Sequence, residues 1–598
     1  MGDALALALA LAILAFGLPA LGQERPESIL PPGFDQPPTP SPSPVPKTQQ
    51  TPRSVAPQAP ATTPLAGLSD PVLPKEPLSE LSGTPLPIDP VLIAEYEMPS
   101  YARRSLSRIG IVGQAQGGLS PTAFGSADGR YLEALMSRLR APIASRWLSI
   151  GLRRALASRV DTPANVNGAD FAAERAWLLL RMGEANVSRA IIEAVDPNNY
   201  TPKLFEAAMQ SALASGDPAL VCPVVDDAKR VSSDRAWILA EAMCRALLGV
   251  PGEAGALIDA ARRRGVARGT DLLLAEKVVG AGAAGRRAVT IDWNDVDHLT
   301  IWRYGLAMAT GVPIPQELLD SANPRVHYWR ALSPMLDAKT RAVFAERAAA
   351  QGVLSNIALV DLFGEIEQAD DQPIAEGTIA RDLRTAYSEQ DRTRRLAALR
   401  ALWGDPKTFL TPYPRLILTA RAAAGVAAAK DTPEADKLIA AMLSAGLHKQ
   451  ASEWRDFVDV GSQGWALLTL GERSFIGKVS VGDFNRYRGG PSDSAGIKPK
   501  LLLAGLAGLG LLDTGVSASL ARDLGVDLGS QNSWTKALDQ AVIARQPGTV
   551  VLLCAIGMQT TDWQGVSPLA LYNILSALNR VGLEGEARMI AVEALTRL

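Results

Sequence analysis

From about residue 161 onward, apolar residues recur every three or four positions: Leu178, Met182 and Ala185 form one such series, and Leu438, Met442 and Ala445 form another. That period puts them on one face of a helix and leaves the opposite face polar. Prolines preceded by N-cap-type residues cut the series into helices of roughly 10–18 residues. Examples are Asp196-Pro197, Thr201-Pro202, Asp217-Pro218, Asn323-Pro324, Ser333-Pro334, Asp405-Pro406, Thr432-Pro433 and Ser567-Pro568. The pattern predicts an all-α body.

Between Phe171 and Gly265 one arrangement occurs twice, and it returns at the C-terminus: an apolar helix, a Gly-Glu-Ala turn and a second apolar helix. The turns are expected at Gly183-Glu184-Ala185, Gly252-Glu253-Ala254 and Gly585-Glu586-Ala587. An isolated hairpin leaves its apolar face uncovered, so such units persist by stacking on neighbours, and the expected architecture is an α-solenoid. With Trp177 and Trp237 early in their helices, these hairpins resemble tetratricopeptide-type repeats, although the spacing is irregular and the full consensus of about 34 residues is not reproduced. From Tyr101 to Leu598 the chain is also similar to proteobacterial envelope proteins that combine a signal, a proline-rich arm and a helical body, a resemblance that implies no function. The repeat resemblance implies binding of proteins or peptides on a concave surface, with no catalysis and no cofactor.

The N-terminus adds an address. Residues 1–22 are apolar from Ala4 to Leu21 and close on Ala20-Leu21-Gly22 before Gln23-Glu24-Arg25, the pattern of a cleavable secretory signal. Asp3 stands where a basic residue is expected, which leaves a retained anchor as the alternative. Residues 23–100 carry about half of the 42 prolines and cannot pack a core, so a disordered, partly extended linker is expected there. The expected location is the periplasm. The remaining divisions are an Arg-rich first segment at 101–160, a helical-repeat body at 161–475, a Gly-rich polar loop at 476–496 and C-terminal hairpins at 497–598.

Charge and cysteine narrow the picture further. A formal net charge of -2 offers no general attraction to nucleic acid. Locally, the segment 101–160 holds ten arginines against Asp128 and Glu133. Arg pairs bidentately with carboxylate or phosphate, so Arg103, Arg104 and Arg108 are candidate docking residues for envelope proteins, anionic lipid headgroups or peptidoglycan carboxylates. Arg486, Tyr487 and Arg488, in the 476–496 loop, are the second candidate set, because a long loop in a helical stack is often a recognition element. Only three cysteines occur, and no C-x-x-C pair, so a structural zinc site has no support. Cys222 and Cys244 either form a disulfide, favoured in an oxidising compartment, or are two small buried hydrophobes. Cys554 is expected in the core.

Two motifs compete with a scaffold. Gly280 to Gly285 satisfies GxGxxG, but DLLLAEKVV before it reads as helix and no long helix follows to hold a pyrophosphate, so an interhelical loop is expected. Leu512-Asp513-Thr514-Gly515 resembles the Asp-Thr-Gly loop of retropepsin-like aspartic proteases, which implies an envelope hydrolase that pairs two carboxylates on a β framework. The other reading makes Asp513 the N-cap of the next helix. The expectation is therefore a non-catalytic periplasmic scaffold that binds envelope proteins, with a hydrolase through Asp513, or an accessory superhelix of a peptidoglycan-processing complex, as alternatives.

Overall fold

The computed structural model describes residues 99, 101–139, 142–282, 288–369, 375–404, 413–473, 475, 477–489 and 496–598. The segments expected to be the signal and the proline-rich arm lie outside the described residues, apart from Pro99. The chain divides into two compact units, and the helical body from Arg104 to Leu598 belongs entirely to one of them.

Among the described residues there are twenty-seven α-helices and one two-stranded ribbon, so the body is all-α. The ribbon pairs Arg108–Ile109 antiparallel with Val160–Asp161. Its core side is fastened by Arg175, a fully buried residue whose guanidinium donates to the carbonyls of Leu156, Ile109 and Ser158. Burial pushes this group's pKa down to about 9. Three carbonyl acceptors that need its N–H donors keep it protonated at neutral pH.

Helix ends follow one rule. After Gly168–Arg181, the N–H of Gly183 donates to the Leu180 carbonyl and that of Glu184 to Leu179, the two bonds of a Schellman motif. The same pair of bonds ends Ala236–Leu247 at Gly249, Ala435–Ser444 at Gly446, Ile497–Gly508 at Gly510 and Pro568–Arg580 at Gly582, each with φ positive. The Gly-Glu-Ala motif therefore marks the turn only in its first copy. In the second and third, Gly252 and Gly585 already lie within the helices Pro251–Arg263 and Glu584–Thr596, and the turning glycine is three positions earlier.

Neighbouring helices pack as hairpins: Gly168–Arg181 on Ala185–Glu193, Ala236–Leu247 on Pro251–Arg263, Tyr413–Ala424 on Ala435–Ser444, and Pro568–Arg580 on Glu584–Thr596. The helix Ala236–Leu247 is also stapled to a turn that precedes it. Cys222, on the 3-10 turn Pro218–Val224, and Cys244 form a disulfide with their Cα atoms 5.2 Å apart. On the chain-entropy account, closing a loop of this length contributes about 3 kcal/mol. Nearby, Asp271 and Arg303 form a bidentate pair at 2.8 and 3.0 Å with both side chains buried. Burial raises the Asp271 pKa and Arg303 opposes the rise. Cys554 is fully buried, as its sequence context predicts, and its thiol pKa is raised by that burial.

Not all packing is between sequence neighbours. The C-terminal helix Glu584–Thr596 touches Pro568–Arg580, but it also packs on Arg146–Ala157, Ala435–Ser444, Gln463–Gly471 and Ile497–Gly508. In a nearest-neighbour stack each repeat meets only the adjoining ones; here the last helix meets one of the first.

Candidate functional site

The junction between Arg146–Ala157 and the C-terminal helix is built around one carboxylate. Glu593, at 1% exposure, stands in the C-terminal helix and receives the Ser145 hydroxyl at 2.6 Å and the backbone N–H groups of Arg146 and Trp147 at 2.8 and 3.1 Å. Those N–H groups begin the helix Arg146–Ala157 and have no intrahelical acceptor, so a carboxylate from a residue 447 positions away satisfies them and favours the positive end of the helix dipole. Arg597 closes the arrangement by donating to Glu593 at 2.9 Å and to the Ala144 carbonyl at 2.8 Å.

Two arginines of this first segment, Arg146 and Arg153, cap the C-termini of other helices. Arg146 donates to Ala349 and Ser444, both carbonyls in the last turns of their helices. Arg153 reaches the carbonyls of Met182 and Gln351, each the C-cap of its helix, and also pairs with Glu184 at 2.8 Å. Burial lowers the Arg153 pKa and raises that of Glu184, and the attraction between the two opposes both shifts. A guanidinium at a helix C-terminus meets orphan carbonyls and the negative end of the dipole together.

Beside this junction opens a cleft of about 440 Å³, walled by Trp147, Ile150 and Arg154 of the first segment, Gly446 and His448 of the Gly446 turn, Arg473, and Glu586, Arg588 and Met589 of the last helix. A smaller cavity of about 180 Å³ shares its Trp147, Ile150 and Ala445 wall and reaches Asn356 and Arg421. The larger cleft carries a cationic surplus of one: Arg154 pairs with Glu586 and Arg588 with Glu584, while Arg473 has no such partner among the described residues. Arg588 is 5% exposed and held by Glu584 at 2.7 Å and the Leu470 carbonyl at 3.1 Å. His448 lies 3.1 Å from the Gly446 carbonyl through Nδ1; because a carbonyl only accepts, Nδ1 is the donor.

The sequence-predicted docking residues are elsewhere and mostly engaged. Arg103 is exposed. Arg104 donates to the Glu193 carbonyl and pairs with Asp196, and Arg108 pairs with Asp161 across the ribbon at 2.5 Å. The loop expected at 476–496 is in part a helix, Val481–Arg488, capped by Ser480 and seated through buried Phe484 and Tyr487. Tyr487 donates to Gln463 at 2.9 Å and so is a packing residue; Arg486 pairs with Asp483 at 3.0 Å, and Arg488 is exposed at the helix end. No hydrogen bond or ion pair joins Arg104 or Arg108 to the Val481–Arg488 helix among the described residues. Residues 490–495 lie outside them.

The Asp-Thr-Gly segment stands at a helix start, the second of its two readings. Asp513 is an exposed N-cap between the helices Ile497–Gly508 and Thr514–Asp523, in a helical region without the strands that hold such a loop in a β framework. Gly280 and Gly282 end the helix Gly269–Gly282, where Gly282 allows close approach to the Ala246 backbone. Residues 283–287 lie outside the described set. Among the described residues no group of three or more His, Cys, Asp or Glu side chains is placed to hold a metal ion, and no helix is long and apolar enough to cross a membrane. Comparison with protein families, with characterised proteins and with solved structures returns no match.

Proposed function

We propose that the chain is an exported, non-catalytic scaffold of the cell envelope, built from degenerate helical hairpins in the manner of a solenoid whose last unit docks on its first, and that it holds protein partners at the cleft formed by that docking. The observation that carries the reading is the cleft itself. It is a concave space within the range of about 300–1,000 Å³ common for ligand sites, with an apolar wall of Trp147, Ile150 and Met589 and a few convergent charged groups. The Cys222–Cys244 disulfide supports an oxidising compartment, and the apolar N-terminus supports export to the periplasm.

A filled cleft tests the reading. Gly585 lies in the first turn of the last helix, and a Cβ there meets no atom within 4 Å, so Gly585→Trp adds bulk to the cleft without straining the backbone. The immobilised full chain is expected to retain envelope proteins that the Gly585→Trp variant loses, while the melting temperature stays within a few degrees of wild type. Retention of the same proteins by both forms would sink the assignment of the cleft.

A further inference from the structure

This inference rests on the reading just given and names the chemistry the cleft takes. We propose that the cleft is a receptor for a carboxylate attached to an apolar body, and that Glu586 occupies the carboxylate position in the unliganded protein.

The charge argument comes first. Arg154 is paired with Glu586 and Arg588 with Glu584, which leaves Arg473 as the cleft arginine without a counter-charge among the described residues. Arg473 is exposed and has no partner among the described residues. Arg588 is the opposite case. It is buried and fixed through Nε and Nη1, while its Nη2 has no hydrogen-bond partner among the described residues. A pre-oriented guanidinium with a spare donor, in a poorly hydrated wall, interacts with an anion more strongly than a mobile surface arginine does.

The chain itself then shows what fits. Glu586 places one carboxylate oxygen against Nη1 of Arg154, a single-point contact in which the arginine side chain remains 39% exposed. Arginine and carboxylate make their strongest contact as a two-point fork, so an incoming carboxylate free to orient competes well with a tethered one held by one bond. Trp147, Ile150 and Met589 border the same space and offer apolar contact to whatever carries the acid. Arg146 lies behind the Trp147 ring, 5.3 Å from its centroid, which fixes the indole as a wall. Gly582 and Gly585 keep the mouth clear, since neither presents a side chain. Inorganic phosphate has no apolar part to use this wall. A free peptide C-terminus and a short fatty acid both do.

The experiment is calorimetric titration of the full chain at low salt with N-acetyl-leucine and hexanoate, each beside its uncharged amide. Both acids, or the one that names the natural source, are expected to bind at least tenfold more tightly than the matching amide, the difference a charge-assisted contact makes. Arg473→Gln should weaken acid binding about tenfold. Glu586→Gln should strengthen it, by about fivefold if the displaced half-exposed ion pair contributes ~1 kcal/mol. A purely structural Glu586 predicts no such gain, so unchanged or weaker acid binding in Glu586→Gln overturns the proposal, as does equal binding of acid and amide, or binding of neither. If acid and amide bind alike and Gly585→Trp abolishes both, the cleft is a binding site and only the carboxylate chemistry is wrong. If Gly585→Trp leaves acid binding intact, the cleft assignment falls with it.

Discussion

Gly183 and Gly252 hold the same place in the Gly-Glu-Ala pattern and opposite places in the backbone. Gly183 has φ +89°, and a Cβ there would come within 2.6 Å of the Tyr328 side chain, so it needs glycine both for its left-handed conformation and for space. Gly252 lies inside the helix Pro251–Arg263 with nothing within 4 Å of a Cβ. Gly183→Ala should therefore destabilise the body by about 1–3 kcal/mol. Gly252→Ala should leave stability unchanged or raise it by up to ~1 kcal/mol, because alanine is the better helix former. Urea unfolding of the two variants measures both signs; a larger loss for Gly252→Ala would contradict the turn assignment.

At the scale of elements, the first helix of the junction depends on a side chain from the last. Glu593 accepts from Ser145, Arg146, Trp147 and Arg597 in a site closed to water. Removing it strands two N–H donors and leaves the Arg597 charge without its buried partner, so Glu593→Ala should cost about 3–5 kcal/mol. Glu593→Gln, which keeps an acceptor oxygen but loses the charge, should cost less. Thermal unfolding of the pair checks the order. The arginine caps follow the same logic: Arg146 and Arg153 together serve carbonyls on three other helices. Two arginines of a segment that reads as a docking patch in sequence thus serve as internal caps in the fold, while Arg103, Arg130, Arg138 and Arg159 are exposed.

For the whole molecule, the decisive contacts join the C-terminal helix to helices far back in the chain. Deleting residues 584–598 uncovers the apolar faces of Arg146–Ala157 and Ala435–Ser444 together with that of Pro568–Arg580. Hydrogen exchange of the truncated chain should show lost protection at 146–157 and 435–444 as well as at 568–580. In a stack held only by nearest neighbours, the loss would stop at the adjoining hairpin. A loss confined to 568–580 would refute the closure of the last helix onto Arg146–Ala157.

Periodicity and helix punctuation were local properties, and the sequence alone determined them. The spacing around Leu438 produced a helix through Met442, whereas the Leu178 series runs across the Gly183 turn so that Ala185 begins the next helix; Thr201-Pro202, Asn323-Pro324 and Ser567-Pro568 opened helices with their side chains accepting from the first turn. Burial of Cys554 was legible from its apolar run, and the Cys222–Cys244 disulfide, one of two readings of that pair, closes a 3-10 turn onto a later helix rather than the two arms of one hairpin. The turning glycine was not legible: Gly249 and Gly252 differ by which one the Schellman bonds select, and the sequence offers both. The cleft lay beyond sequence reasoning altogether. Trp147, His448, Arg473 and Arg588 carry no motif, and a helical period says which face of a helix is buried without saying which distant helix covers it. The docking of Glu584–Thr596 onto Arg146–Ala157, satisfying helix-end donors with Glu593, brought those side chains to one place, and that pairing exists only in the tertiary structure.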